Sequence, residues 1–353
     1  MLRQRFSRSL ILACVVACSL AVVGGALTYA ANDAGGYKVV RRIPVGGDGG
    51  WDYLRVDPDT HRIFLSRGDH MMVVDQGTGK LIADLKDTKG IHGMALAYDL
   101  GKGFTSNGQA NTVTVFDLKT IAATSVIPIP GKDPDSIIYD PATKRVFTFN
   151  GKSNDSTVLD ATTGKVVGTV ALGGKPELAA SDGKGTVFVN LEDKSEVVAL
   201  DPVALKVKGR WSLAPCEEPT GLAIDRAHRR LFASCDNKMM AVMDADSGKV
   251  VTTVPIGQGP DGAAFDSDRQ LAFSPNGRDG TVTVIRESAP DKFEVVQTVD
   301  TSRSARTLDL DPRTHKLYLV AAQFGPPPSP TAEQPRPRPA MVPGSFEVLV
   351  VGR

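Results

Sequence analysis

Seven positions with chemically capable side chains, Asp52, His92, Asp135, Glu177, Thr220, Asp261 and Arg306, follow one another at intervals of 40 to 45 residues. Gathered in one place, they would hold a cation through oxygen ligands or orient a small polar ligand. Arg306 suits a carboxylate on such a ligand, or Asp52 across the group. His70 and His92, with Asp52 or Asp69, make a candidate transition-metal site, so the cofactor implied is a divalent metal ion. Their spacing alone does not fix that geometry. Other chemistry finds no carrier: C-x-x-C-H, H-E-x-x-H, G-x-S-x-G and G-x-x-x-x-G-K do not occur.

The elements that must position these residues are written as a repeat. Asp57, Asp99, Asp140, Asp182, Asp225, Asp266 and Asp311 each stand at a turn after a short run, 41 to 45 residues apart. A second acid ends another run at Asp75, Asp117, Asp160, Asp201 and Asp244, often before a turn such as Gly77-Thr78-Gly79-Lys80. The clearest unit has Ser136 to Tyr139, the alternating run Arg145 to Phe149, Thr157 to Asp160 and Val166 to Val170, split by polar turns. That is a four-stranded antiparallel meander. Four strands per period of about 42 residues predict an all-β, seven-bladed β-propeller of four-stranded antiparallel blades.

Tyr37–Val45 precedes the first complete unit and matches a fourth strand, which the last unit lacks at its C-terminus. The expectation is an N-terminal strand closing the last blade, since that blade would otherwise present an unpaired edge. Within the same blade, residues 324–345 form a Pro-rich loop carrying Arg336 and Arg338. Proline on that scale forbids sheet pairing. It reads either as a solvated loop or as a lid across one face.

In such a ring the seven positions start the inner strands and border the mouth of the central channel. The loops between second and third strands add Arg67, Asn107, Asn150, Asp155, Asn190, Glu192, Asp236, Asn276 and Asp279, among others. Water in the channel explains part of this polarity; the mixture of acids, histidine and arginine argues for a binding site. His61, His228 and His315 fall in the opposite turns, as solvated hairpin residues. Trp51 reads as packing at the rim.

Residues 1–30 differ from the repeats. Arg3, Arg5 and Arg8 precede an apolar run from Leu10 to Leu27 and small residues before Ala31, the pattern of a signal peptide. A retained anchor is the rival reading, because the run nears bilayer-spanning length. A lipid anchor at Cys18 fits less well, since apolar residues follow it. The expected organisation is a leader, 1–30, and a single propeller domain, 31–353, periplasmic or secreted and without a membrane span after cleavage.

Losing the leader leaves 38 basic residues against 40 acidic ones. That balance gives no electrostatic case for nucleic acid as a partner. Cys216 and Cys235 remain, at the same end of neighbouring strands in an oxidising compartment, and a disulfide is expected between them.

The chain resembles the YncE-like family of secreted propellers with YVTN repeats. The likeness rests on D-P-x-T-x-R-x-F at Asp57 and Asp140, V-x-D-x-x-T-G-K at Asp75 and Asp160, and Cys216-Glu217-Glu218-Pro219-Thr220-Gly221. The ending from Phe324 to Arg353 is similar as well. It covers Tyr37 to Arg353, although the tetrapeptide Y-V-T-N itself does not occur; Phe147-Thr148-Phe149-Asn150 is a near relative. Related propellers include lactone-hydrolysing enzymes and the haem-binding domain of nitrite reductases, and fold kinship does not choose among them. The first expectation is a binding or interaction scaffold that takes a small ligand, metal or partner protein at its channel face. The alternatives are a metal-assisted, lactonase-like hydrolase and an accessory protein of a periplasmic redox system.

Overall fold

The computed structural model describes residues 36–47, 49–289, 291–331, 337 and 339–353. The expected leader, with Cys18, lies outside them, as do Arg336 and Arg338. Seven four-stranded antiparallel sheets form the blades. Their inner strands are Leu54–Asp57, Ile91–Ala97, Pro134–Asp140, Pro176–Ser181, Pro219–Asp225, Ala264–Asp266 and Leu308–Asp311. Each touches the next around the circle, and the seventh touches the first. The protein is a seven-bladed β-propeller, as its period predicts.

Turn chemistry sets the strand ends. Asp57, Asp140 and Asp311 each accept the hydroxyl of the threonine three residues on, which fastens the first hairpin. The acids closing third strands do the same work: Asp75, Asp117 and Asp160 each take the amide and hydroxyl of a following threonine, and Asp244 takes those of Ser247. In blades 1 to 6 the pairing of third and fourth strands slips one residue before or at this end. Such bulges deepen the twist of a sheet.

Seven apolar clusters fill the interfaces between neighbouring blades. Phe64, Phe104, Phe147, Phe188, Phe232 and Phe273 occupy the middle of the second strands and are buried, with Tyr318 at that place in blade 7. The fourth strands face water, as in Lys206–Ser212.

In blade 7 the fourth strand is Lys38–Pro44, antiparallel to Glu347–Gly352. Ile43 and Tyr37 are buried against the clusters on either side of this blade. A disulfide joins Cys216 to Cys235, with Cα atoms 5.8 Å apart. No helix among the described residues is long and apolar enough to cross a membrane.

Candidate functional site at the channel mouth

Local backbone irregularity aims the mouth residues. The first paired residue of an inner strand faces the last of its neighbour: Ile91 with Asn107, Pro134 with Asn150, Pro176 with Leu191, Pro219 with Cys235. Register then slips before pairing resumes at Met94, Ile137, Ala179 and Gly221. His92, Asp135, Glu177 and Thr220 sit in these slips. Asp261 follows the isolated bridge between Pro260 and Asn276. A bulge leaves its extra residue unpaired and re-aims that side chain.

Two groups result. On one side His92 Nδ1 lies 2.7 Å from Asp52 Oδ2 and 3.5 Å from Asp135 Oδ1, and its Nε2 is 3.9 Å from Asp133 Oδ1. One ligand atom from each of Asp52, His92 and Asp135 falls within 4.8 Å of the others, a separation that a metal ion could bridge. Asp135 Oδ1 is buried and accepts no hydrogen bond. Gly108 makes room here, since a Cβ on it would lie 2.6 Å from Asp133 Oδ1 and 2.7 Å from His92 Nε2.

On the other side Arg306 donates from Nε to Asp261 Oδ2 at 2.8 Å and from Nη2 to the Trp51 carbonyl at 3.1 Å, with Asp52 Oδ1 at 3.5 Å. Thr220 donates to the Pro260 carbonyl at 2.9 Å. Thr220, Asp261 and Arg306 line a cleft of about 330 Å³ with Glu192, Asp236 and Arg278. Lys175 bridges Glu177, at 2.7 Å, and Glu192.

Acid outweighs base at this mouth. Burial and the Asp52 charge push the Asp135 carboxyl up to about 7, with His92 opposing. Burial and Asp135 push Glu177 up to about 9 although Lys175 pairs with it. Burial and Asp52 raise Asp261 to about 6 against the pull of Arg306. Burial disfavours the His92 cation, yet its bond to Asp52 and the charges of Asp135, Asp52 and Asp133 raise it to about 9. The Tyr53 phenol is pushed well above its ordinary range by burial and then by Asp135, Asp52, Asp261 and Glu177. A region so short of positive charge favours a cation.

The structure thus gathers Asp52, His92 and Asp135 into one cluster and places Thr220, Asp261 and Arg306 along one cleft, with Glu177 tied to Lys175. His70 and Asp69 stand elsewhere: they pair with each other at 3.0 Å, and His70 Nε2 turns to Asp84 Oδ1 at 4.0 Å. The reason is topological, because His70 opens a third strand and Asp84 lies on the fourth strand beside it. They drop out of the metal set, and Asp135 takes their place. Asn107, Asn150 and Asn276 are also unavailable to a ligand. Each donates to a threonine two positions into the next strand and accepts a hydroxyl from two residues before it.

Asp133, Tyr53 and Lys175 belong to the mouth and carry no periodic signal, while Gly108 recurs after the same asparagine as Gly151 and Gly277. Asp133 holds a left-handed backbone, φ 59°, with its N–H donated to Asn111 Oδ1. Aspartate tolerates this conformation, as most residues do not. At the rim, Trp51 packs between Phe324 and Phe346, with ring centroids 5.8 and 5.3 Å away. Phe324 bridges to Met341, so the two ends of the Pro-rich loop are fastened beside Trp51 and Arg306.

The sequence matches no family model and no curated protein. Among solved structures, the chain is similar to Kuenenia stuttgartiensis hydrazine synthase, with a TM-score of 0.67 at 15% identity over 78% of this chain and 92% of that one. At that identity the likeness is one of fold.

Proposed function

We propose that the protein is an exported, YVTN-type propeller of the YncE-like kind, and a binding module whose working face is the channel mouth. Asp52, His92 and Asp135 hold a divalent cation there. The adjoining cleft along Thr220, Asp261 and Arg306 takes a small polar ligand, with Arg306 the natural partner of an anionic group on it. The observation that carries this reading is Asp135 Oδ1, buried without a hydrogen bond and within ligand distance of His92 and Asp52. Buried carboxylate oxygens are ordinarily satisfied, and a cation satisfies this one. The leader pattern and the Cys216–Cys235 disulfide support export.

Hydrolysis of the lactonase type is a second reading, favoured by one feature. Burial and the Asp52 charge push the Asp135 carboxyl up to about 7, the range of a group that takes a proton from water. Metal titration and a lactone-hydrolysis assay on the same preparation separate the two. Loss of one bound ion per chain in Asp135→Asn without turnover in the parent supports the module. Metal-dependent turnover lost in the same variant supports the hydrolase. Unchanged metal binding in Asp135→Asn removes both.

A further inference from the structure

On the face opposite the mouth, two departures from the repeat meet. In blades 1, 3 and 7 the first-strand acid is satisfied by a threonine hydroxyl three residues on. In blade 5 that place holds His228, in Asp225-Arg226-Ala227-His228. The second departure comes from blade 6. There the third strand, Thr281–Ala289, runs longer than its counterparts, and Arg286 pairs with Leu271 where blades 1, 2, 3 and 5 place the closing acid. Glu287 follows it.

The same position in blade 1 is Gln76, and its role shows what Glu287 cannot do. Gln76 Nε2 donates across the blade interface to Asp311 Oδ2 at 3.2 Å and to the Tyr318 hydroxyl at 2.7 Å. Glu287 reaches across its own interface to Asp225, the counterpart of Asp311. An ionised carboxylate has no proton to donate. Both oxygens of Glu287 and Asp225 Oδ2 are buried without a donor in hydrogen-bond geometry, and the two carboxyls lie close enough to share a proton in the metal-free protein. The two side chains are each 1% exposed. His228 Nδ1 faces both, 2.7 Å from Asp225 Oδ2 and 3.4 Å from Glu287 Oε1. Arg230, whose charge reaches Glu287, makes its ion pairs with Asp244 at 2.6 Å and Asp291 at 2.9 Å.

We propose that Asp225, His228 and Glu287 form a second metal site, for a divalent transition ion such as Zn²⁺, at the interface of blades 5 and 6. Each offers one ligand atom, and the three atoms lie within 4.8 Å of one another. Ligands held about 2.0–2.2 Å from a tetrahedral ion stand roughly 3.3–3.5 Å apart, so a small outward movement of the His228 ring admits the ion. One nitrogen and two oxygens from the protein suit Zn²⁺ better than Ca²⁺, which takes six or more oxygens. His228 is exposed, and a water from that side completes the coordination. The ion would clamp neighbouring blades, where blade 1 uses the Gln76 amide.

The test uses the chelator-stripped, full-length protein carrying His92→Ala, which disables the mouth cluster, so the outcome does not depend on that reading. Titration calorimetry with Zn²⁺ is expected to show one ion per chain and a melting temperature that rises with Zn²⁺. Adding Glu287→Gln, which supplies the blade-1 amide, should abolish binding while leaving the metal-free melting temperature equal or higher. His228→Thr, which restores the repeat residue, should weaken Zn²⁺ at least tenfold. Retention of full Zn²⁺ affinity in the Glu287→Gln protein overturns the site. So does absence of Zn²⁺ binding in the parent, which would mean that the two carboxyls share a proton instead.

Discussion

His92 Nδ1 meets Asp52 Oδ2 at 2.7 Å across the seam between the second blade and the first. The pair couples the entry to the first inner strand with the slipped start of the second and sets the imidazole beside Asp135. Its consequence is a mouth in which one histidine stands among three carboxylates, Asp52, Asp133 and Asp135.

Protons should compete with metal at this cluster. His92, raised to about 9, must lose its proton and Asp135, raised to about 7, must be ionised to bind, so affinity falls as pH is lowered from 8 to 6. Calorimetric titrations at the two pH values check this, and equal affinity would contradict it.

Gly108 is the space that His92 and Asp133 occupy. Gly108→Ala should displace the imidazole and lower metal affinity at least tenfold, while the melting temperature of the metal-free protein changes little. Unchanged affinity would show that the imidazole is not positioned there.

Acid stability should be governed by the turn aspartates. Hydrogen bonds from Thr78, from the Thr120 backbone and side chain, and from Thr163 hold Asp75, Asp117 and Asp160 below the usual carboxylate range. A folded pKa below the unfolded one adds stability that is present above about 3.9 and lost as pH falls through the lowered values. Melting temperature should therefore drop steeply below pH 4, and Asp160→Ala should shallow that slope. An unchanged slope in Asp160→Ala counts against the assignment.

The N-terminal strand should contribute through one face only. Ile43 is 1% exposed and Val40 is 40% exposed. Ile43→Ala should cost about 2–5 kcal/mol by urea unfolding, and Val40→Ala under about 0.5 kcal/mol. Similar small losses for both would mean that the strand does not hold the last blade.

The fold was legible because turns, and not cores, carry the repeat. Asp57, Asp140, Asp75 and Asp160 are kept by their hydrogen bonds to following threonines, so they recur in register and mark four strands each time. The mouth residues were legible for the same reason: six lie five residues before such an aspartate, and His92 lies seven before Asp99. Asp133 and Tyr53 escaped because a bulge and a left-handed residue decide where their neighbours point, and neither has a periodic signature. His70 misled because its position in the unit is right but its strand turns it outward. Glu287 takes the place of Gln76 in the unit, one residue past the usual end of a third strand, where no acid recurs to mark it. His228 in the threonine's place was readable, yet the sequence reading left it in water; the structure sets it 2.7 Å from Asp225. His315 likewise meets Asp266 at 2.8 Å and His61 meets Gln76 at 3.2 Å.

The most direct measurement is a Zn²⁺ titration of the chelator-stripped Glu287→Gln protein, whose opposite face is silenced, alongside the same protein carrying Asp135→Asn. One ion per chain in the first and none in the second is the predicted result. Equal binding by both, or no binding by the first, would contradict a metal at the channel mouth.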